Sequence, residues 1–156
     1  MKARSFLVVL GLVAAAVAGA CSSSTTTYAV NGTCGPLAIG SSGVLFTIAG
    51  PCDLGQAGNF AIAATVDVTL GASGAVPVSI DAGFVQNGYV LYSKFSGTAD
   101  VPDSGLLTTP IGISGTFTFQ GGTGQFSDAT GTAAADGGVN LGTTSANLTL
   151  VGSVTY

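Results

Sequence analysis

Alternation of apolar and polar residues is the clearest pattern along the chain. In residues 65–70, Val66, Val68 and Leu70 share one parity, and Thr65, Asp67 and Thr69 share the other. Since a strand places successive side chains on opposite faces, this segment predicts a half-buried β-strand. The same alternation occurs in residues 116–120 and 147–156. In the second of these, Tyr156 has the parity of the apolar residues, which predicts that its ring packs at the end of a strand.

Shorter apolar runs predict further strands at residues 44–49, 60–64 (continuing into 65–70), 76–84, 89–96, 111–114 and 130–135. Turn signals separate them, and Asn-Gly and Asp-Gly pairs favour tight hairpins. We predict turns at 31–32, 50–51, 71–74, 87–88, 102–105, 121–122 and 136–138, and we place the prolines at 51, 77, 102 and 110 at strand starts, in loops or at edges. About eight such strands predict an all-β domain, an antiparallel barrel or alternatively a β-sandwich.

The first 20 residues have the layout of an export signal. Lys2 and Arg4 precede an uncharged run over 6–20 that ends in small residues. The run is short for a membrane span, which needs about 20 apolar residues, and fits a secretory signal better. We therefore predict a signal peptide at 1–20, a Ser/Thr-rich tether at 21–27 and a single all-β domain at 28–156, which is long enough for one core.

The end of the signal, Val-Ala-Gly-Ala-Cys over 17–21, and the Ser/Thr run after it resemble the lipobox and tether of bacterial lipoproteins. The resemblance implies that Cys21 is acylated and becomes the new N-terminus, so that a lipid anchors the protein to a membrane of the cell envelope. The alternative is ordinary cleavage after Ala20, which would leave a freely secreted protein.

The cysteine count agrees with a lipid on Cys21. Three cysteines are an odd number for an exported chain, and acylation of one leaves Cys34 and Cys52 as an even pair. In an oxidising compartment we expect these two to form a disulfide. Two buried free thiols are the alternative.

Composition excludes several functions. Removal of 20 residues from 156 leaves 136 with one basic side chain, Lys94, and a side-chain charge of −6 from seven Asp. So few cations argue against nucleic acid and against electrostatic binding to lipid headgroups. The chain has no His and no Glu, which excludes a Ser-His-Asp triad and a His-based zinc site. We therefore predict no catalytic residues, no metal and no cofactor.

One motif stands out, G-G-T-G-x-F-x-x-A-x-G over 121–131. It lacks the third glycine of a dinucleotide fingerprint, the lysine of a phosphate loop and the aspartate of a calcium repeat. The pattern instead indicates a turn, a core residue and a closely packed strand, built from Gly121, Gly122, Thr123, Gly124, Phe126, Ala129 and Gly131.

Together with the strands around it, the motif resembles the allene oxide cyclase and dirigent family, and uncharacterised bacterial exported proteins. The resemblance covers at best residues 88–156 and implies an eight-stranded antiparallel barrel with an apolar interior. It does not extend to activity, because the glutamate and arginine those families use are absent from residues 21–156.

Three further sets of residues are candidates for binding or catalytic sites. Asp100, Asp103, Asp128 and Asp136 could bind calcium, although loop aspartates more often cap turns. Lys94 could be a reactive amine, but a solvent-facing charge is the simpler interpretation. The aromatic residues Phe84, Tyr89, Tyr92 and Phe95 could line a cavity or simply form the core.

Two hypotheses for function follow. The first is a non-enzymatic, lipid-anchored envelope protein, and the second is a barrel that binds, or guides the cyclisation of, a small apolar ligand in its interior. An interior filled by side chains favours the first, and an open apolar void favours the second.

Overall fold

The computed structural model describes residues 24–42, 45–67, 74–103 and 109–156. They form eight strands, each hydrogen-bonded to the next, and the last pairs with the first to close a barrel. The strands are β1 (Thr27–Ser42), β2 (Leu45–Asp53), β3 (Asn59–Asp67), β4 (Gly74–Gln86), β5 (Tyr89–Val101), β6 (Ile111–Gly122), β7 (Thr130–Asn140) and β8 (Ser145–Thr155).

Every neighbouring pair is antiparallel, including β8 with β1. Closure gives every strand a hydrogen-bonded neighbour on both sides, which protects the edges through which sheets usually aggregate. The predicted all-β antiparallel barrel is confirmed, and the alternative β-sandwich is not the architecture.

The two faces of the sheet follow the alternation in the sequence. Along β5, Leu91, Ser93 and Phe95 are buried, while Tyr92 and Lys94 between them are exposed. Apolar side chains fill the interior and mostly polar ones cover the outside, as expected for strands whose one face packs on a core.

Six phenylalanine rings dominate the core. Phe84 lies 5.5 Å from Phe117 and 5.9 Å from Phe119, measured between ring centroids, and both contacts are edge-to-face. Phe95 packs on Phe117 at 5.1 Å, and Phe60 on Phe126 at 5.8 Å. Such edge-to-face and tilted pairs are favoured geometries for aromatic rings.

The barrel has two unlike ends. The proximal end holds the start of β1, the end of β8, the β4–β5 hairpin and two 3-10 turns, Gly55–Ala57 and Gly124–Phe126. The distal end is where β1, β3, β5 and β7 finish and where β2, β4, β6 and β8 begin. Both limits of the described chain are therefore at the proximal end.

Some predicted turns are wrong. Asn31–Gly32 lies inside β1, a 16-residue strand that the sequence analysis did not predict at all. Gly32 is needed because a β-carbon there would collide with the backbone of Asp53, so this glycine permits a close approach rather than a reversal. Gly50–Pro51 lies inside β2, and residues 136–138 lie inside β7.

Other predictions of turns, strands and proline positions are confirmed or need correction. Asn87–Gly88 does form the two-residue turn between β4 and β5, with φ of 52° and 83°. The two predicted strands at 111–114 and 116–120 are one continuous strand, β6. Pro51 and Pro77 lie within β2 and β4 rather than at starts or edges. The predicted signal peptide, with Cys21, lies outside the described residues.

Candidate functional site

The predicted disulfide joins Cys34 of β1 to Cys52 of β2, which lie directly opposite each other in the ladder. Both residues are 1% exposed and belong to the hydrophobic core. The bond therefore fastens the first two strands from inside the barrel, where solutes reach it with difficulty. This burial disfavours a role in thiol exchange, which needs an accessible sulfur.

The glycine-rich motif builds the connection between β6 and β7 at the proximal end. Thr123 ties it to β5 twice: its backbone N–H donates to the Val90 carbonyl at 2.8 Å, and its hydroxyl accepts from the Val90 N–H at 2.8 Å. Gly124 has φ of 56°, and a β-carbon there would overlap the ring of Tyr89. The motif is thus a structural turn docked on its neighbouring strand.

Phe126 is the part of the motif that closes the barrel. It is completely buried, and its ring contacts Phe60 and Tyr156 at centroid distances of 5.8 Å and 4.8 Å. Ala129, 1% exposed, follows it into the core. The motif residues lie together between the end of β6 and the start of β7, and Phe126 plugs the proximal end of the core.

Tyr156 completes this plug. Its ring stacks on Tyr28 at 4.7 Å, and its hydroxyl donates to the Ala57 carbonyl at 3.3 Å. Burial raises the pKa of the Tyr156 hydroxyl above its ordinary value, and the neighbouring Tyr28 raises it further. Phe126, Tyr28 and Tyr156, with Leu54, form what we call the proximal plug.

The aromatic residues weighed as cavity lining do not share a face. Phe84 and Phe95 are buried inside the barrel, Tyr92 is 49% exposed on the outer face, and Tyr89 is 44% exposed at the proximal end, beside Gly124. The idea of a joint aromatic cavity is therefore wrong. Among the described residues, Ser93 is the one buried polar side chain, and its hydroxyl donates to the Ala82 carbonyl at 3.2 Å.

Packing is looser at the distal end. Several inward-facing apolar residues there are half-buried although they have the parity of the core, while Val66 and Val139 at the same end are buried. They come from most of the strands: Ile39, Phe46, Ile48, Val78, Ile111, Ile113 and Leu148. We call them the distal apolar ring. Apart from Ile39 of β1, its residues belong to segments that predict strands, but only the strand register shows that they share one end.

A shallow cleft of about 300 Å³ lies on the outer face of β5, β6 and β7, and residues including Asp100 and Asp136 line it with the hydroxyls of Thr98 and Ser114. Asp128, by contrast, is at the proximal end, next to Ser127 in the β6–β7 turn. The four aspartates therefore do not gather as a calcium site. In the described part of the chain, no three metal-binding side chains lie together.

Lys94 is exposed on β5, directly opposite Asp81 of β4 and Thr118 of β6. An exposed position suits a solvated charge and gives the amine none of the desolvation that activates catalytic lysines.

Comparison with known proteins finds no matching family model, no matching curated protein and no matching solved structure. The resemblance to allene oxide cyclases and dirigent proteins stays a prediction from the motif. None of the helices in the described segments is long and apolar enough to cross a bilayer.

Proposed function

We propose that the protein is an exported, lipid-anchored and non-enzymatic barrel of the bacterial cell envelope. The observation that carries the proposal is the pairing of Cys34 with Cys52 inside the core. Structural disulfides persist in oxidising compartments outside the cytoplasm. With these two cysteines paired, Cys21 at the end of the signal is the cysteine that remains for acylation.

The position of the tether supports an anchoring role. β1 begins at Thr27, six residues after Cys21, so an extended tether reaches about 20 Å at most. It would leave from the proximal end, which the proximal plug closes, and would hold this end nearest the bilayer. The distal end would then face away from the membrane, where partners or ligands arrive.

The interior supports a role other than catalysis. Phenylalanine and leucine side chains occupy the described core, and the aspartates weighed as metal ligands stand outside in water. A carboxylate exposed to water has little of the burial that tunes a general acid or base.

Acylation is tested in a bacterial host that exports the full-length chain. We expect the wild type to incorporate an alkyne-labelled fatty acid and to fractionate with membranes, and Cys21→Ser to lose both properties. Ser22→Ala, one residue along the tether, should behave as the wild type. Absence of label from the wild type, or membrane association of Cys21→Ser, would contradict the lipid anchor and favour free secretion.

The distal apolar ring favours a second function, the binding of a small apolar ligand. The mouths of β-barrels are common ligand sites. Half-buried apolar side chains gain hydrophobic free energy when a ligand covers the part of their surface that still faces water. Titration with a fluorescent fatty acid should show saturable binding that Val78→Gln and Ile113→Gln weaken. Val151→Gln, at an exposed position on the outer face of β8, is the matched control. Equal binding by all three variants would contradict this function.

A further inference from the structure

The described core restricts which part of a ligand can enter the barrel. Ser93 is the one buried polar side chain among the described residues, and its hydroxyl already donates to the Ala82 carbonyl. In the same part of the chain, no buried side-chain nitrogen or oxygen lacks a hydrogen-bond partner. The core therefore offers a ligand no free polar side chain, and a polar group that entered it would lose its hydration without compensation.

The distal apolar ring favours a hydrocarbon chain as the part that enters. Its members are isoleucine, valine and leucine, with Phe46 as the one aromatic residue. Contacts between aliphatic groups have no preferred direction, whereas aromatic rings favour particular geometries with flat partners. An alkyl chain can therefore cover the ring in many conformations, and the polar head group of such a ligand stays in water at the mouth.

Two carboxylates stand on the outer side of the wall that carries Ile113, a member of the distal apolar ring. Ile113 packs against the core between the outward-facing Gly112 and Ser114 of β6. Asp100 of β5 lies directly opposite Gly112, and Asp136 of β7 lies directly opposite Ser114. Both aspartates are exposed and line the outer cleft. The two carboxylates therefore flank one position of the ring, one from each neighbouring strand.

The described residues bring no positive charge to this end. Asp103, two residues after the end of β5, is a third exposed aspartate there. Lys94 precedes Asp100 by six positions along β5, about 20 Å in an extended strand, and lies opposite Asp81. A head group at the distal mouth would therefore meet negative charges that no nearby cation of the described chain offsets.

We propose that the distal end selects ligands by the charge of the head group, and that it prefers an alkyl chain with a cationic head, such as a long-chain amine. This inference rests on the second function, the binding of an apolar ligand at the distal apolar ring. It names the chemical class of that ligand and the residues, Asp100 and Asp136, that determine the preference.

The size of the preference follows from distance. A head group on the inner side of the wall lies roughly 10 Å from carboxylates on the outer side, about the spacing of packed sheets. In water at low salt, two unit charges at this distance change the affinity for a third by about twofold to threefold. An ammonium group is attracted and a carboxylate is repelled, so a fatty acid binds through its chain but more weakly than the amine.

Isothermal titration calorimetry with decylamine, decanol and decanoate tests the preference, since these ligands share one alkyl chain. The exported Cys21→Ser chain is used below the micelle concentrations of the ligands, because detergent would compete for the mouth. At neutral pH and about 20 mM salt, we expect decylamine to bind about fivefold more tightly than decanoate. The difference should shrink at about 0.5 M salt, where charges are screened within a few Å.

Variants locate the charges responsible. Asp100→Asn with Asp136→Asn should lower the ratio of the decanoate Kd to the decylamine Kd by about fivefold and leave the decanol Kd unchanged. Asp53→Asn with Asp128→Asn is the matched control, because it removes two charges at the proximal end and should change neither Kd. Circular dichroism of each variant checks that the barrel is intact.

The outcomes separate the head-group preference from the second function. Equal Kd values for decylamine and decanoate, or a preference that the proximal control removes as fully as the distal variant, would overturn selection at this end. Decylamine binding that Val78→Gln and Ile113→Gln leave unchanged would place the amine on the outer surface and would also overturn it. Failure of all three ligands to bind, decanol included, would instead contradict the second function itself.

Discussion

At the scale of single residues, Phe126 contributes more to the barrel than any other member of the glycine-rich motif. It is completely buried and contacts both the core, through Phe60, and the chain end, through Tyr156. The glycines around it determine where its ring lies, and the ring supplies the buried apolar area. The glycine-rich motif predicts a core position for Phe126, and its ring is buried there.

We predict that Phe126→Ala lowers the free energy of unfolding by about 3–5 kcal/mol, because it removes a large buried ring and leaves a cavity. Gln125→Ala is the matched control: Gln125 is exposed and donates one hydrogen bond to Gln86, so its loss should change stability by about 0.5 kcal/mol or less. Urea unfolding followed by circular dichroism measures both. Equal stability of the two variants would contradict the plug.

The raised pKa of Tyr156 predicts that the free energy of unfolding depends on pH. Because the pKa of its hydroxyl is raised in the folded state, mainly by burial, the unfolded chain loses this proton at lower pH than the folded chain does. Its contribution is therefore fully present below the ordinary tyrosine pKa of about 10 and is lost as pH rises through the folded pKa.

Urea unfolding between pH 8 and pH 11 checks this dependence. Tyr156→Phe should flatten the alkaline decline, while Tyr92→Phe, on the exposed outer face, should keep the slope of the wild type. An unchanged slope in Tyr156→Phe would show that another group causes the decline.

At the scale of elements, the alternating segments were predictable and the longest strand was not. β4 and β5 show clean alternation with a turn signal between them, so both strands and their hairpin follow from local sequence. β1 contains Asn31–Gly32 and Gly35–Pro36, which locally favour turns. It is a strand because β8 and β2 pair with it on both sides, and the register shifts within it absorb the irregular residues.

Some features of the candidate sites could likewise be predicted from the sequence, and others could not. The disulfide and the role of Phe126 depend on cysteine count and local spacing, which a sequence displays. The distal apolar ring depends on which residues of different strands stand at one end of the barrel, so Ile39, Ile48 and Ile113 show no relation until the register is known. The calcium hypothesis failed for the same reason, because proximity in sequence says little about which end of a barrel a loop occupies.

At the scale of elements, the prediction concerns the disulfide that joins β1 to β2. The disulfide closes a loop with a sequence separation of 18, which corresponds to about 3 kcal/mol in the chain-entropy model. Reduction should lower the free energy of unfolding by about that amount, measured by urea unfolding with and without a strong reductant. The double variant Cys34→Ala with Cys52→Ala should be less stable than the oxidised wild type and insensitive to reductant. A wild type equally stable in both conditions would contradict the bond's role.

At the scale of the whole molecule, the two ends of the barrel differ. The two limits of the described chain meet at the plugged proximal end, and the distal end carries the half-buried distal apolar ring. A tether at the proximal end would place this ring away from the membrane. This arrangement suits an anchored module that meets partners through its surface.

The measurement that tests this account most directly is the intact mass of the exported protein. We predict a chain that begins at Cys21, carries acyl groups on that residue and is lighter by two hydrogens because Cys34 and Cys52 are joined. An unmodified chain beginning at Cys21, or free thiols at both Cys34 and Cys52, would contradict it.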